Sequence, residues 1–305
     1  MDFLEVRKQV DQLAREVRRL RDDLDRMRED LMGGVDALDR KIKARGLQIH
    51  RTNPREDLLI PSDATPEEQT LFYHLLTHYS FRLFLRDVIT RGKDMRPENL
   101  MKYCSLNAAQ QYLASLMDLR IIERTSSSSY QLRNDMIHSF GSTLEWFIAE
   151  MWRREFASPA YFGVRFRDTA SGGDYDVVAL WEGYLVYVEI KSSPPRGIER
   201  NQIGSLFARI ADLLPDVAFL FNDTQLRMSD KVVPMVQEHL VSRPDDPHHL
   251  LSVEKVANEV FHVGHRMYIV NSKKDALSNF AVCLRDFLSY RQSPLLPTTP
   301  PLPSR

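Results

Sequence analysis

The sequence has few cysteines and no long apolar run, and these absences argue against several classes of protein. Among 305 residues there are two cysteines, Cys104 and Cys283, which lie far apart and form no CxxC pair. Such spacing argues against a disulfide framework or a structural zinc site. No apolar stretch approaches the ~18 residues of a membrane-spanning helix, and the first thirty residues are too charged for a signal peptide. We therefore expect a cytoplasmic protein with no membrane partner.

The sequence also lacks an excess of charge of either sign. It carries 41 lysines and arginines against 42 aspartates and glutamates, for a net charge of −1. No overall electrostatic field attracts it to nucleic acid, so any such binding needs a local basic or polar patch. The length allows one large domain or two to three small ones.

The N-terminal segment has the clearest periodicity in the chain. Valine at position a and leucine at position d of a heptad favour a parallel two-stranded coiled coil, so residues 1–46 are predicted to pair two chains into a homodimer. The alternative is one amphipathic helix folded onto its own core, although such a helix normally has a wider apolar face. The stripe weakens at Gly33–Gly34 and resumes through Val35, Leu38 and Ile42. The main seam consists of Phe3, Val6, Val10, Leu13, Val17, Leu20, Leu24, Met27 and Leu31.

A polar, proline-containing stretch over residues 47–65 is interpreted as a linker. After it, Thr65 and Pro66 predict the start of a helix over "PEEQTLFYHLLTHYSFRLFLRDVI". A short helix in "RPENLMKYC", a third helix after the N-cap Ser105 and two short strands around a serine run follow. This order resembles a winged helix-turn-helix domain over residues 66–136. The resemblance implies that the third helix contacts duplex DNA, with a purely protein-binding module as the alternative.

The polar side chains of that module are the candidates for contact with DNA. Amides can pair with adenine edges, and arginines can contact phosphates. The amide candidates are Asn107, Gln110 and Gln111, and the arginine candidates are Arg120, Arg124 and Arg133.

The rest of the chain alternates helix and strand and is predicted to form an α/β domain over residues 137–291. Residues 292–305 are proline-rich and are predicted to be disordered. We expect helices at 138–155, 198–214, 230–241 and 275–290, and strands at 161–168, 174–181, 184–191, 216–222 and 266–271.

Acidic side chains lie within two of these strands, in "GGDYDVVALWEGYLVYVEIKSS". Residues two apart on a strand share one face, so Asp174 aligns with Asp176 and Glu189 with Lys191. Gly183 predicts a tight turn and an antiparallel hairpin, which can bring Asp176 beside Glu189. Two close carboxylates repel unless a cation lies between them, and oxygen ligands suit Mg²⁺ or Mn²⁺.

A helix with a glutamate, then "GGDYD", then "VEIK", resembles the PD-(D/E)xK superfamily of restriction-endonuclease-like nucleases. The resemblance covers residues 138–222 and implies a mixed sheet flanked by helices. It assigns the metal-binding carboxylates to Asp176 and Glu189 and the lysine of the motif to Lys191, with the carbonyl of Ile190 as a further ligand. Asp174 remains an alternative principal ligand, or a simple turn cap.

The same resemblance implies supporting residues on two helices. A glutamate on the first helix corresponds to Glu145, with Glu150 as a weaker candidate. A polar residue on the helix after the lysine corresponds to Gln202. Arg196, Arg200 and Arg209 flank this region and would suit phosphate binding, although solvated helix-face arginines fit equally well.

The implied function is a dimeric, Mg²⁺- or Mn²⁺-dependent endonuclease that hydrolyses phosphodiester bonds in double-stranded DNA, in defence, restriction or repair. Two alternatives stay open: a non-catalytic DNA-binding regulator or scaffold, and a nuclease for RNA or branched DNA. Glu189 and Lys191 could also be a plain surface ion pair. The pair His262 and His265 in "HVGHR" is interpreted as structural rather than metal-binding.

Overall fold

A computed structural model of the chain describes residue 16 and residues 33–126, 128–167, 169–242 and 251–292. Most of the heptad seam and the proline-rich tail from residue 293 lie outside these described residues. The coiled coil, the homodimer and the disordered tail therefore stay predictions.

The described residues form a mixed α/β fold on one eight-stranded sheet, and a separate two-stranded hairpin lies beside it. The strands are β1 (Gln48–Arg51), β2 (Ile122–Arg124), β3 (Tyr130–Leu132), β4 (Ala160–Arg167), β5 (Tyr175–Trp181), β6 (Tyr184–Lys191), β7 (Val217–Asn222), β8 (Val253–Ala257), β9 (Val260–Val263) and β10 (Met267–Asn271). The large sheet has the order β1-β4-β5-β6-β7-β10-β9-β8, and β2 pairs with β3. β6, β7 and β10 run parallel, whereas the other neighbours are antiparallel.

Helices cover both faces of the sheet. They are α1 (33–43), α2 (Pro66–Thr77), α3 (Tyr79–Arg91), α4 (Leu106–Asp118), α5 (Gly141–Glu155), α6 (Arg200–Leu213), α7 (Val232–Val241) and α8 (Ala276–Gln292). Short 3-10 turns occupy Pro97–Leu100 and Pro195–Gly197. The predicted elements of the α/β part agree with these bounds to within three residues, whereas β1, β8 and β9 were not predicted.

Local sequence signals explain where the helices of the first half begin. The side chain of Thr65 accepts a hydrogen bond from the backbone N–H of Glu68, whose carboxylate accepts one from Thr65 in return. Ser105 caps α4 by accepting a bond from Ala108. The single long helix predicted from residue 66 is two helices, because the backbone of His78 is extended (φ −81°, ψ 117°).

The sheet separates two apolar cores. α5 packs on one face, where Trp152 contacts the rings of Phe219 and Phe280. Buried side chains of α2, α3 and α4 belong to the same core, so these three helices share one continuous core with this face of the sheet. α6 and α7 cover the other face. Leu38 and Ile42 of α1 are buried in that second core, so this end of the predicted dimerisation helix packs within its own chain.

The stretch interpreted as a linker is built into the fold. Within residues 47–65, β1 pairs with β4, and Leu58, Leu59 and Ile60 are buried. The backbone N–H of Leu59 donates to the hydroxyl of Thr143 on α5 at 3.1 Å. The stretch resembles a linker in composition because its proline and polar residues outnumber its buried apolar residues, Leu58, Leu59 and Ile60 among them.

A buried ion pair joins α3 to the end of β7. Arg82 donates from Nε and Nη2 to Asp223 at 3.0 and 2.8 Å, and Arg86 donates to the other carboxylate oxygen at 2.6 Å. Ser272 adds a hydroxyl donor at 2.6 Å. Burial alone would raise the pKa of Asp223, but the two arginines hold that pKa below its ordinary value. The backbone N–H of Asp223 donates to the carbonyl of Lys191 at 2.8 Å, so this pair is tied to the end of β6.

We predict that Asp223→Asn lowers the free energy of unfolding by ~3 kcal/mol, because it leaves the buried Arg82 without its counter-charge. The exposed pair Arg200–Glu238 supplies the control, and Arg200→Ala is expected to cost less than ~0.5 kcal/mol. Urea denaturation of both variants measures the difference. A destabilisation by Asp223→Asn as small as that of the control would contradict a structural role for the pair.

Candidate active site

The hairpin of β5 and β6 brings acidic side chains from two strands to one place. Val177 pairs with Val188 across the hairpin, and Asp176 and Glu189 are the next residue on each strand. Asp176 accepts a hydrogen bond from the backbone N–H of Ile190 through Oδ2 at 2.5 Å. Asp176 on β5 is therefore hydrogen-bonded directly to β6, the strand that carries Glu189.

Glu189 lies at the centre of the charged cluster and is 1% exposed. Lys191 donates to its Oε1 at 2.6 Å, and Arg209 from α6 donates through Nη1 to both oxygens at 2.9 and 2.8 Å. The hydroxyl of Tyr187 donates to Oε2. Tyr187, Glu189 and Lys191 alternate along β6, so one face of a single strand supplies the acid and two of its three partners.

Glu145 on α5 lies close enough to Asp174, Glu189 and Lys191 for their charges to shift its pKa. Its Oε2 lies 3.7 Å from the position that a Cβ atom would take on Gly163. Gly163 has φ +53°, and a Cβ there would lie only 2.7 Å from Pro54, so only glycine fits this approach. Glu150 does not join the cluster, because it pairs with Arg153 and its neighbour Arg154.

The electrostatics of the cluster are those of crowded carboxylates with too few cations. Burial, together with the charges of Glu189 and Glu145, raises the pKa of Asp176 well above its ordinary value. Burial and the charges of Asp174 and Glu189 raise the pKa of Glu145 to about 7. Burial also opposes ionisation of Glu189, but Lys191 and Arg209 lower its pKa below the ordinary value. When all three carboxylates are ionised, they exceed the two facing cations by one charge.

The donor chemistry of this cluster fits a hard divalent cation. Glu145, Asp176 and Glu189 supply carboxylate oxygens, and Ile190, whose carbonyl is a further candidate ligand, directly follows Glu189 on β6. Mg²⁺ and Mn²⁺ prefer such oxygen ligands. Burial is the first cause of the raised pKa of both Asp176 and Glu145, and the neighbouring carboxylates add to it, so a divalent ion in the cluster would favour ionisation of both acids.

Asp174 lies at the rim of the cluster. It pairs with Arg165, and the two side chains are 43% and 50% exposed. Asp176 is instead bonded to the neighbouring strand, so the geometry favours Asp176 over Asp174 as the principal acid of β5.

Gln202 lies at the start of α6, where its side-chain oxygen accepts the backbone N–H of Glu199 at 2.9 Å and caps the helix. Arg209 occupies the contact that was expected of Gln202. It lies seven residues further on, or about 10 Å along the same helical face. The sequence does contain a sign that Arg209 is not a solvated surface residue. It lies at helical spacing between Leu206 and Leu213, which form the apolar face of α6. The signal for Tyr187 was its two-residue spacing from Glu189.

The predicted DNA-contacting amides lie together on the surface. Asn107, Gln110 and Gln111 are all exposed on α4. Arg120 differs, because its guanidinium binds Glu68 at 3.0 Å and also Asp63. That arginine holds α2 against the end of α4, which occupies the donors that phosphate contact requires.

The remaining arginine candidates are dispersed. Arg124 and Arg133 are exposed on the β2–β3 hairpin, and Arg196 is exposed before α6. Arg200 is 80% exposed and pairs with Glu238 at 2.9 Å. None of these four contacts the acidic cluster through a described hydrogen bond or ion pair.

Among the described residues, three side-chain ligand atoms come close together where β9, the turn after it and α8 meet. One ligand atom from each of His262, His265 and Asp286 lies within 4.8 Å of the others. The two imidazole rings stack at 3.8 Å with 24° between their planes, so their in-plane lone pairs run side by side rather than converging. Nδ1 of His262 accepts the backbone N–H of His265, and Nδ1 of His265 contacts Asp286 at 2.8 Å. These contacts fit the predicted structural role.

Comparisons with known proteins match this chain to solved structures, but to no protein family and to no curated protein. Among solved structures, protein VC1899 from Vibrio cholerae matches 63% of this chain and 53% of its own, with a TM-score of 0.42 and 16% identity. Can2 from Sulfobacillus thermosulfidooxidans, in complex with cyclic tetra-adenylate, matches 82% of this chain and 61% of its own, with a TM-score of 0.42 and 12% identity.

The chain thus spans about half to three-fifths of the length of these two proteins. At these TM-scores neither likeness defines the fold or the function of this chain. Separately, none of the helices in the described part of the chain is long and apolar enough to cross a membrane.

We predict that Glu145→Gln stabilises the cation-free protein increasingly as pH rises from 5 to 8. The pKa of Glu145 rises from 4.5 to about 7 on folding, so the wild type loses stability as this carboxyl ionises through that range. The variant avoids the loss, and the difference should reach on the order of 2–3 kcal/mol at pH 8.

Urea denaturation in EDTA at a series of pH values measures this difference, with Glu182→Gln in an exposed turn as the control. A Glu145→Gln difference that stays constant between pH 5 and pH 8 would show that Glu145 ionises normally.

Proposed function

We propose that this protein is a metal-dependent nuclease of the PD-(D/E)xK kind, which hydrolyses phosphodiester bonds in DNA. The observation that carries the proposal is that Asp176 bonds to β6 beside Glu189, that Lys191 bonds to Glu189, and that the charges of Glu189 and Glu145 act on Asp176. Buried carboxylates that repel one another are unfavourable for folding alone, and they are typical of cation-binding sites.

The side chains have distinct roles in this proposal. Asp176, Glu189 and the carbonyl of Ile190 hold the cation, and Glu145 contributes to its surroundings. When bound, a divalent ion supplies Lewis-acid chemistry that offsets charge on the phosphoryl oxygens. Lys191 is 16% exposed and can orient the attacking water or donate to a phosphoryl oxygen. An ammonium suits this role because it is a compact point charge with three donors.

The helical region before the sheet supports a role in holding DNA. The order α2, α3, a 3-10 turn, α4 and the β2–β3 hairpin agrees with the winged helix-turn-helix interpretation. On α4, the exposed amides Asn107, Gln110 and Gln111 are available to base edges. The N-terminal coiled coil would pair two such chains, which suits cleavage of both strands of a duplex.

We predict that Lys191→Ala lowers the rate of plasmid cleavage in Mg²⁺ or Mn²⁺ by roughly 100- to 1,000-fold, because it removes a positioned cation beside the phosphate. Glu189 keeps its contact with Arg209 in this variant, so the fold should persist. Lys255→Ala, on the exposed edge strand β8, is the matched control and should cut like the wild type.

Cleavage should also stop in EDTA. Activity that survives both EDTA and Lys191→Ala would exclude the proposed chemistry. Duplex, single-stranded and branched DNA and RNA, tested under the same conditions, identify the substrate. Binding to DNA with no cleavage of any of these substrates would instead indicate a regulator or scaffold.

A further inference from the structure

The ion pair between Arg209 and Glu189 uses only one nitrogen of the guanidinium. Its Nη1 atom donates to both carboxylate oxygens, at 2.9 and 2.8 Å. An arginine paired optimally with a carboxylate instead uses two nitrogens, one for each oxygen. The contact of Arg209 therefore has the charge of a strong ion pair without its full set of hydrogen bonds.

The remaining donors of Arg209 are poorly satisfied. Its Nε atom is buried and has no hydrogen-bond partner among the described residues. Its Nη2 atom lies 3.2 Å from the position that a Cβ atom would take on Gly173, so the guanidinium lies against the loop before β5. A buried donor without a partner is unfavourable, which makes this position of Arg209 less favourable than the ion pair alone suggests.

We propose that Arg209 is a displaceable internal counter-ion, which neutralises Glu189 in the cation-free protein and competes with the divalent cation for that carboxylate. The inference rests on the proposed function, because it requires that the acidic cluster bind a cation. Once Glu189 is taken by the cation, the guanidinium has five free donors at the edge of the site. A substrate phosphate is the chemical group that such a fork binds best.

Charge and geometry together distinguish Arg209 from the other cation of the cluster. Lys191 follows Glu189 by two residues on the same strand and donates to one oxygen, so a cation can share Glu189 with it. Arg209 spans both oxygens from the opposing helix and blocks them together. Arg209, rather than Lys191, is therefore the residue that competes with the divalent cation for Glu189.

The test is calorimetric titration of the full-length chain with Mn²⁺, without substrate. We expect Arg209→Met to bind Mn²⁺ about tenfold more tightly than the wild type, since the cation then no longer has to displace a charge-assisted hydrogen-bonded pair from Glu189. Arg165→Met is the matched control, because Arg165 pairs with the rim residue Asp174 and does not touch Glu189. It should change Mn²⁺ affinity less than threefold.

The outcomes separate this inference from the proposed function. Equal tightening by both arginine variants would show a general charge effect and overturn the competition. Unchanged affinity in Arg209→Met, with binding abolished by Asp176→Asn, would also overturn it and would leave the proposed metal site standing. Absence of Mn²⁺ binding in every variant would overturn both.

A second variant covers the case in which Arg209→Met fails to fold. Arg209→Gln keeps a hydrogen-bond donor and removes the charge, and it should also tighten Mn²⁺ binding relative to the wild type. Thermal unfolding of each variant in EDTA reports whether it is folded. Affinity of folded Arg209→Gln equal to that of the wild type would count against the inference.

Discussion

The constraint on which the site depends is the repulsion between carboxylates buried at the ends of neighbouring strands. Hairpin register puts Asp176 beside Glu189, and Glu145 on α5 adds a third carboxylate whose charge acts on Asp176. The protein offsets this repulsion with Lys191 and Arg209 and with protons retained by the acids whose pKa values are raised. A structure that keeps such an arrangement gives up stability that apolar residues of the same size would supply.

The rest of the fold holds this cluster in place. The central strands β6, β7 and β10 run parallel and are buried on both faces, which fixes the end of β6 where Lys191 lies. At that end, Asp223 bonds to the carbonyl of Lys191 and pairs with Arg82 of α3. The helical region is thus joined to the site by a buried ion pair as well as by the shared core.

Much of the fold could be predicted from the sequence, because the buried strands are apolar runs and the caps Thr65 and Ser105 mark where α2 and α4 begin. The face shared by Glu189 and Lys191 followed from strand alternation, and the turn at Gly183 gave the hairpin. Other features depend on distant contacts that no local pattern encodes. Residues 47–65 lack apolar periodicity, yet they pack on α5. Arg209 was noted as a possible phosphate ligand, but its contact with Glu189 depends on how α6 lies against the sheet.

The most direct test of the account is the location of a divalent cation in the folded protein. Crystals grown with Mn²⁺, measured for anomalous scattering, should show a peak between the carboxylates of Asp176 and Glu189, with the guanidinium of Arg209 moved away from Glu189. A peak at His262, His265 and Asp286 instead, or an unoccupied acidic cluster at millimolar Mn²⁺, would contradict the central claim.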